Sequence, residues 1–424
     1  MSLLTERHWE AVDDLKTIVA KSQNVSRFAV RIGVMGFTGW GDMAVQLAAC
    51  SALRGVEAFN PAHIFAILHF SGAMVESDLA ENAKKLGIID DYAVVHRLVE
   101  QYRRPLVNEM AECFDILYDT AAPAIRTIVN PAFQGYAEAQ AEANSRLACY
   151  ADLHSGWPLT GARLKGMHES RWDIMSHTLG VQVMPDDLLA PTECAPLPEH
   201  IVNGGEAEHE RVRQRAMSDK WASAKLPKDV KHYVVMNNCC GRGGGTKQAP
   251  PDVIEAIVAK LDKMGVRTVQ IGRTDEPQIK FAIDRRGYRV PIGVRLLQGA
   301  ITGVFIEGFW AYMAHATKPS CILFGPTPVN HYALPGNVSI INAKQNAAGE
   351  IHTACPEGSC FQGRGEHWGD YCPLMGMKYA PTKEHPEGRL INPRAPYCGN
   401  FDAPDVAAAK VARVVEKLME SKPR

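Results

Sequence analysis

The sequence lacks an excess of charge of either sign. Its 46 Lys and Arg against 47 Asp and Glu leave a formal net charge of −1, so no global field draws it to nucleic acid or an anionic membrane, and any anion site must be local. It also lacks a long apolar run: nothing approaches the roughly 18 continuous apolar residues that a spanning helix needs. The opening stretch MSLLTERHWEAVDDLKTIVAKSQ carries charges throughout, unlike a signal peptide or an anchor. A cytoplasmic protein without stable membrane insertion is the expectation. A GxGxxG fingerprint is missing, as is any repeat of roughly 20 to 50 residues. Cysteine, by contrast, is plentiful. Eleven of them, an odd number without an export signal, argue against a disulfide framework and for metal ligation or buried thiols.

At 424 residues, 46% of them hydrophobic, the chain is long enough for two domains with sizeable cores. In segment 1–28, Trp9, Val12, Leu15, Ile18 and Val19 recur at helical spacing, which predicts an amphipathic helix packed on the domain or on a neighbouring subunit. FAVRIGV at 28–34 reads as a strand, GFTGWG at 36–41 as a glycine-rich turn, and the residues from Asp42 to Leu53 as a helix. Strand, turn and helix in this order open a doubly wound α/β domain, placed at 29–225. Further strands are expected at 64–70 and 114–118, helices at 138–149 and 167–179, and a Pro- and charge-rich linker over 184–230.

A second unit of the same design begins at His232. HYVVMNN is its strand, CCGRGGGTK its loop, and 251–264 its helix; strands at 266–272, 303–306, 321–325 and 338–341 follow. This predicts a second doubly wound domain at 226–348. Residues 349–400 lose periodicity, and 401–424 hold a closing helix capped by Asp402 or Asp405.

Four motifs carry chemistry. In GFTGWGD, Gly41 and its neighbours let backbone approach a ligand, while Asp42 is either a general base at the mouth of the sheet or a carboxylate stabilising the helix N-terminus. In GRGGGTK, consecutive glycines, Arg242 and Lys247 form either a local anion cradle or a plain flexible turn; Thr246 and Gln248 depart from a P-loop. Glu307 closes an apolar strand, where a carboxylate serves a polar ligand or caps a helix, and Tyr312 and His315 follow as pocket or packing residues. Finally, Cys355, Cys360, Cys372 and Cys398 place four thiols in one aperiodic stretch, whereas the other seven are scattered. Four thiolates hold a tetrahedral zinc or iron ion and supply the order that burial does not; the alternatives are unliganded thiols, or His352 or His367 replacing one ligand. Glu350, Glu357, Glu366 and Asp370 mixed into this stretch argue against a nucleic-acid reader.

GWGDMAVQLAACSALRG, FDILYDT, MHESRWDIMSHTLGV, VVMNNCCGRGGGTKQAPPDVIEAI and FIEGFWAYMAHATKPSCILFGPT, taken in order, resemble the bacterial heptosyltransferase family, glycosyltransferase family 9. The likeness spans about residues 29 to 345. It implies a GT-B fold, two Rossmann-like domains facing across a cleft, and inverting transfer of a sugar, a heptose from ADP-heptose, to a protein or glycan hydroxyl. By the resemblance Asp42 is the catalytic base, Thr246 and Lys247 hold the donor diphosphate, Asp275 or Glu276 meets the ribose, and Glu307, Gly41 and Tyr312 belong to the donor site. Glu307 stands where the family has Asp and Tyr312 where it has His, which alters the donor pocket. The four-cysteine stretch resembles the metal finger of the autotransporter heptosyltransferases, which implies iron or zinc and a homo-oligomer. The rival readings are a GT-B sugar-nucleotide epimerase or hydrolase, and a non-catalytic binding protein with a zinc-type interaction module.

Overall fold

The computed structural model describes residues 6–23, 29–36, 39–57, 62–69, 75–95, 107–119, 126–148, 170–196, 224–239, 247–325, 329–345, 351–353 and 401–421. The chain forms two compact units: the first comprises Met1–Gly156, Arg171–Asp219 and Arg289–Pro291, the second Trp157–Ser170, Lys220–Tyr288 and Ile292–Arg424.

The first unit is built on a five-stranded sheet in the order β3-β2-β1-β4-β5. β1 (Val30–Met35), β2 (Ala62–His69), β3 (Asp91–Val95) and β4 (Ile116–Asp119) are parallel, and β5 (Arg126–Val129) runs antiparallel to β4. Ile64 to Leu68 of β2 are buried without interruption, as expected of a parallel strand covered on both faces. α1 (Glu6–Gln23) buries Val12, Leu15 and Val19 against Phe65, Ile67, Val95, Phe114 and Leu117. Of the two expectations for this helix, packing on its own domain is the one observed. α2 (Trp40–Arg54) buries Met43 to Cys50 and Leu53; Arg54 in its last turn donates to the Asp90 carboxylate at 2.6 Å and to the Ala62 carbonyl at 2.8 Å. α3 (Val75–Lys85), α4 (Tyr136–Ala148) and α5 (Arg171–Leu179) are further helices of this unit. On the buried face of α3, Asp78 pairs with Arg289 and accepts from the Ala195 N–H at 2.8 Å. Burial raises the Asp78 carboxyl pKa, with Arg289 opposing.

The second unit carries a six-stranded, wholly parallel sheet in the order β11-β10-β9-β6-β7-β8. Its strands are β6 (Tyr233–Asn237), β7 (Arg267–Gly272), β8 (Ile283–Arg286), β9 (Gly303–Ile306), β10 (Cys321–Phe324) and β11 (Val338–Ile341). A small antiparallel ribbon, β12 (Ala343–Gln345) with β13 (Ile351–Thr353), follows. The helices are α6 (Pro251–Lys263), α7 (Val290–Gly299), α8 (Phe309–His315), α9 (Val329–Tyr332) and α10 (Pro404–Glu420). Ile254, Ile257 and Leu261 of α6 share one core with Val411 and Val415 of α10, so the last helix belongs to the second unit although the cysteine-rich stretch intervenes.

One expectation is corrected: neither Asp402 nor Asp405 caps α10. The N-cap is Ala403, with no side-chain cap bond and Pro404 opening the helix. Pro lacks the N–H that the helix start would leave orphaned, and Asp402 instead accepts from Lys410 at 2.6 Å. Cys355, Cys360, Cys372 and Cys398 lie outside the described residues, as do Thr246 and Arg242.

Both strand orders have the same consequence. From β1 the chain winds to β2 and β3, then returns to place β4 on the other flank of β1; from β6 it winds to β7 and β8, then returns to place β9 on the other flank of β6. β1 and β6 therefore stand at topological switch points, where open α/β sheets bind ligands beyond the strands' carboxyl ends.

Candidate active site

In the first unit β1 leads into Gly36, and α2 starts behind Gly39, whose extended backbone (φ −113°, ψ 151°) makes it the N-cap. The Met43 N–H donates to the Gly39 carbonyl at 3.0 Å and closes the first turn. Asp42 sits in that turn, where a carboxylate complements the helix dipole. Of the two sequence readings, then, the cap itself is Gly39, and the Asp42 side chain is engaged elsewhere: its Oδ1 accepts from the guanidinium of Arg171, first residue of α5, at 3.0 Å. Arg171 is 12% exposed and Asp42 36%, so a largely covered cation orients a carboxylate that still meets solvent. Gly41 is the residue just before it in α2.

Gln46, one turn further along α2, is fully buried, and its amide nitrogen donates to the carbonyls of Val34 (2.7 Å) and Ile67 (2.9 Å), at the ends of β1 and β2. A side chain at Gly36 would run into this amide, which explains glycine at that position: the turn leaves the strand flush against Gln46.

In the second unit the glycine loop is closed at its base. Asn238, just after β6, accepts from the Ala249 N–H at 2.8 Å and donates to the Ala249 carbonyl at 2.9 Å; the Gln248 amide donates to Cys239 Sγ at 3.2 Å. Lys247 leaves this loop to donate to Glu307 Oε2 at 2.6 Å, and its ammonium lies 5.4 Å from the centroid of the Tyr332 ring. Lys247 and Glu307 are 14% and 8% exposed. Glu307 follows β9 directly, so the pair bridges the ends of two neighbouring strands, β6 and β9.

A third cluster lies at the end of β7. Gly272 adopts φ +132°, and a side chain there would strike Glu276 and Asn237. Into that space the Asn237 amide donates to Glu276 Oε2 at 2.8 Å and to the Ile271 carbonyl at 2.9 Å. Burial pushes the Glu276 carboxyl pKa up, while its bonds from the Arg273 backbone and Asn237 and the Arg273 charge oppose that shift. Asp275 beside it faces solvent, with Arg273 Nε at 3.1 Å.

The structure thus brings Lys247 and Glu307 together, and sets Asp275 and Glu276 at the carboxyl end of the strand that pairs with β6 on its other side. Tyr312 is buried within α8, and His315 is that helix's half-buried last residue. Arg171, Gln46, Asn238 and Tyr332 are absent from the sequence reading. Gln46 did leave a signal, a lone amide in the apolar run MAVQLAAC; Arg171 and Tyr332 left none, because their partners come from distant segments. Among the described residues no group of three or more His, Cys, Asp or Glu side chains is placed to hold a metal, and no helix is long and apolar enough to cross a membrane.

The chain is thus built of two doubly wound α/β units, each with polar side chains gathered at its switch point. No family model matches the sequence, and no curated protein does. Solved structures similar to it include a glycosyl transferase family 9 protein from Veillonella parvula DSM 2008, with a TM-score of 0.49 and 13% identity over 93% of this chain and 98% of that one. Another is the dodecameric iron-containing heptosyltransferase TibC of enterotoxigenic E. coli, in complex with ADP-D-beta-D-heptose (TM-score 0.45, 14% identity, 93% and 77% covered). A third is E. coli ADP-heptose lps heptosyltransferase II (TM-score 0.39, 13% identity, 73% and 90% covered). The doubly wound assignment itself rests on the strand orders given above.

Proposed function

We propose that the chain is an inverting glycosyltransferase of GT-B type that moves a sugar, a heptose from ADP-heptose, onto a hydroxyl of a protein or glycan. What supports this reading is that each unit, taken by itself, carries a charged side chain at its own switch point: the Asp42 carboxylate in the first and the Lys247 ammonium in the second. The choice of ADP-heptose follows from the motifs that resemble the heptosyltransferase family.

The reaction is a single displacement. Asp42 takes the proton of the acceptor hydroxyl as its oxygen bonds to the anomeric carbon, and the bond from that carbon to the diphosphate breaks. A positioned base of this kind is worth roughly 10²- to 10⁴-fold in rate. Arg171 fixes the carboxylate's orientation from its Oδ1 side. Lys247, with Thr246 and the glycine loop, meets the charge that grows on the departing diphosphate, where fixed cationic groups act most strongly on the transition state. Glu307 accepts from sugar hydroxyls while pairing with Lys247, Asp275 or Glu276 meets the ribose, and Gly41 and Tyr312 contribute to the donor site. The domains at 29–225 and 226–348, a cytoplasmic location and a homo-oligomer belong to the same reading. So does an iron or zinc ion held by Cys355, Cys360, Cys372 and Cys398, a thiolate set suited to either metal; bound there, it supplies structure.

The test is a pair of variants assayed with ADP-heptose and other nucleotide sugars. Asp42→Asn keeps donor binding and loses at least about 10²-fold in transfer, whereas Lys247→Ala weakens donor binding. Transfer at the parent rate by Asp42→Asn removes the base. Sugar-nucleotide turnover that needs no acceptor replaces transfer with epimerisation or hydrolysis.

A further inference from the structure

Lysine at a phosphate site has a cost: its four-carbon stem is flexible, and its charge is lost to any carboxylate that pairs with it. Glu307, 2.6 Å from Lys247 Nζ, does pair with it. The second neighbour is of a different kind. The Tyr332 ring, on the single turn of α9, faces the same ammonium with its centroid 5.4 Å away, inside the roughly 6 Å over which an aromatic face attracts a cation. That turn is anchored by buried Val329 and Leu334 and by the Ala333 N–H donating to the Val329 carbonyl at 2.7 Å.

A ring and a carboxylate hold an ammonium with different consequences. The carboxylate cancels its charge toward an incoming anion; the ring attracts through its quadrupole, carries no net charge, and leaves the cation's field intact. We infer that Tyr332 is a positioning residue for anion binding: beside Glu307, its aromatic face holds the Lys247 ammonium in place, so that a diphosphate meets a cation already ordered. The inference rests on the proposed role of Lys247 and adds to it a residue from a different element.

Inorganic pyrophosphate, titrated calorimetrically into the purified chain, is the probe. Tyr332→Phe should bind within about twofold of the parent, and Tyr332→Leu roughly five- to thirtyfold more weakly, the range of a partly desolvated cation–π contact. In a Lys247→Met background the Tyr332→Leu change should have no further effect, since the two residues act through one contact. Replacing Tyr332 by phenylalanines of increasing fluorine content withdraws density from the ring with little change in its shape; affinity should fall with each fluorine. This series also stands in if the leucine variant does not fold. Lys247→Met with undiminished affinity overturns the donor reading itself. A Lys247→Met loss accompanied by parental affinity in Tyr332→Leu, by an equal Tyr332→Leu loss in both backgrounds, or by indifference to fluorination overturns the role of Tyr332 and leaves that of Lys247 standing.

Discussion

Asp275 and Glu276 are adjacent carboxylates in opposite surroundings, 56% and 6% exposed at the side chain. Burial raises the pKa of Glu276, so the folded chain holds that proton more tightly than the unfolded chain. Its favourable contribution is therefore complete below the ordinary carboxylate value and is lost as pH rises through the raised one. Glu276→Gln is neutral at every pH and still accepts from Asn237. It should melt above the parent at pH 7, with the gap closing as pH falls toward 4.5, the ordinary value for this group. Melting curves across that interval check it, and a gap independent of pH contradicts the burial argument. Asp275, open to solvent, is the partner better placed to meet a ribose without first giving up a buried bond.

At the scale of elements, each loop is held by an amide acting on backbone. Gln46 fixes the exit of β1, and Asn238 clasps the base of the glycine loop through both its carbonyl and its amide. Asn238→Ala removes two bonds worth about 0.5–1.5 kcal/mol each. The second unit should lose about 1–3 kcal/mol, and pyrophosphate affinity should fall with it because Lys247 lies two residues inside the clasp; denaturant titration and calorimetry measure the two effects separately. These amides also show what a sequence reveals. β9 forms at the residues its apolar run marks, Gly303–Ile306, all of them buried, because a covered parallel strand must be apolar along its length; β11 forms at its marked residues too, Val338–Ile341, although it is an edge strand with Val338 exposed. β3 (DYAVV), β5 (RTIV) and β8 (IDRR) escape that reading. All three lie at sheet edges, where one flank has no strand to pair with and charged residues are tolerated. Asp42, Lys247 and Glu307 are legible because each follows a strand–glycine or strand–helix boundary visible locally. Arg171 and Tyr332 reach their partners only through tertiary packing, which no local pattern records.

At the scale of the whole molecule, the described core of each unit is built from that unit's own sheet and helices, and the four clustered cysteines lie outside the described residues. β13 and α10, the described elements that flank the cysteine-rich stretch in sequence, belong to the second unit, and α10 is held there by Val411 and Val415 packing with Ile257 and Leu261. The metal reading and the donor-cradle reading can be tested separately. Elemental analysis of the purified chain should find about one iron or zinc per polypeptide, as a four-thiolate site takes a single ion. Cys355→Ser and Cys398→Ser should each reduce that content sharply, since three thiolates and a hydroxyl bind either metal far less well. If the ion orders only its own stretch, both variants should keep the parent's far-ultraviolet spectrum and bind pyrophosphate within about twofold, the scatter expected of uncoupled sites. Metal content unchanged in both variants would remove the four-cysteine site. Pyrophosphate binding lost along with the metal would instead make the cysteine-rich stretch a support of the Lys247 cradle.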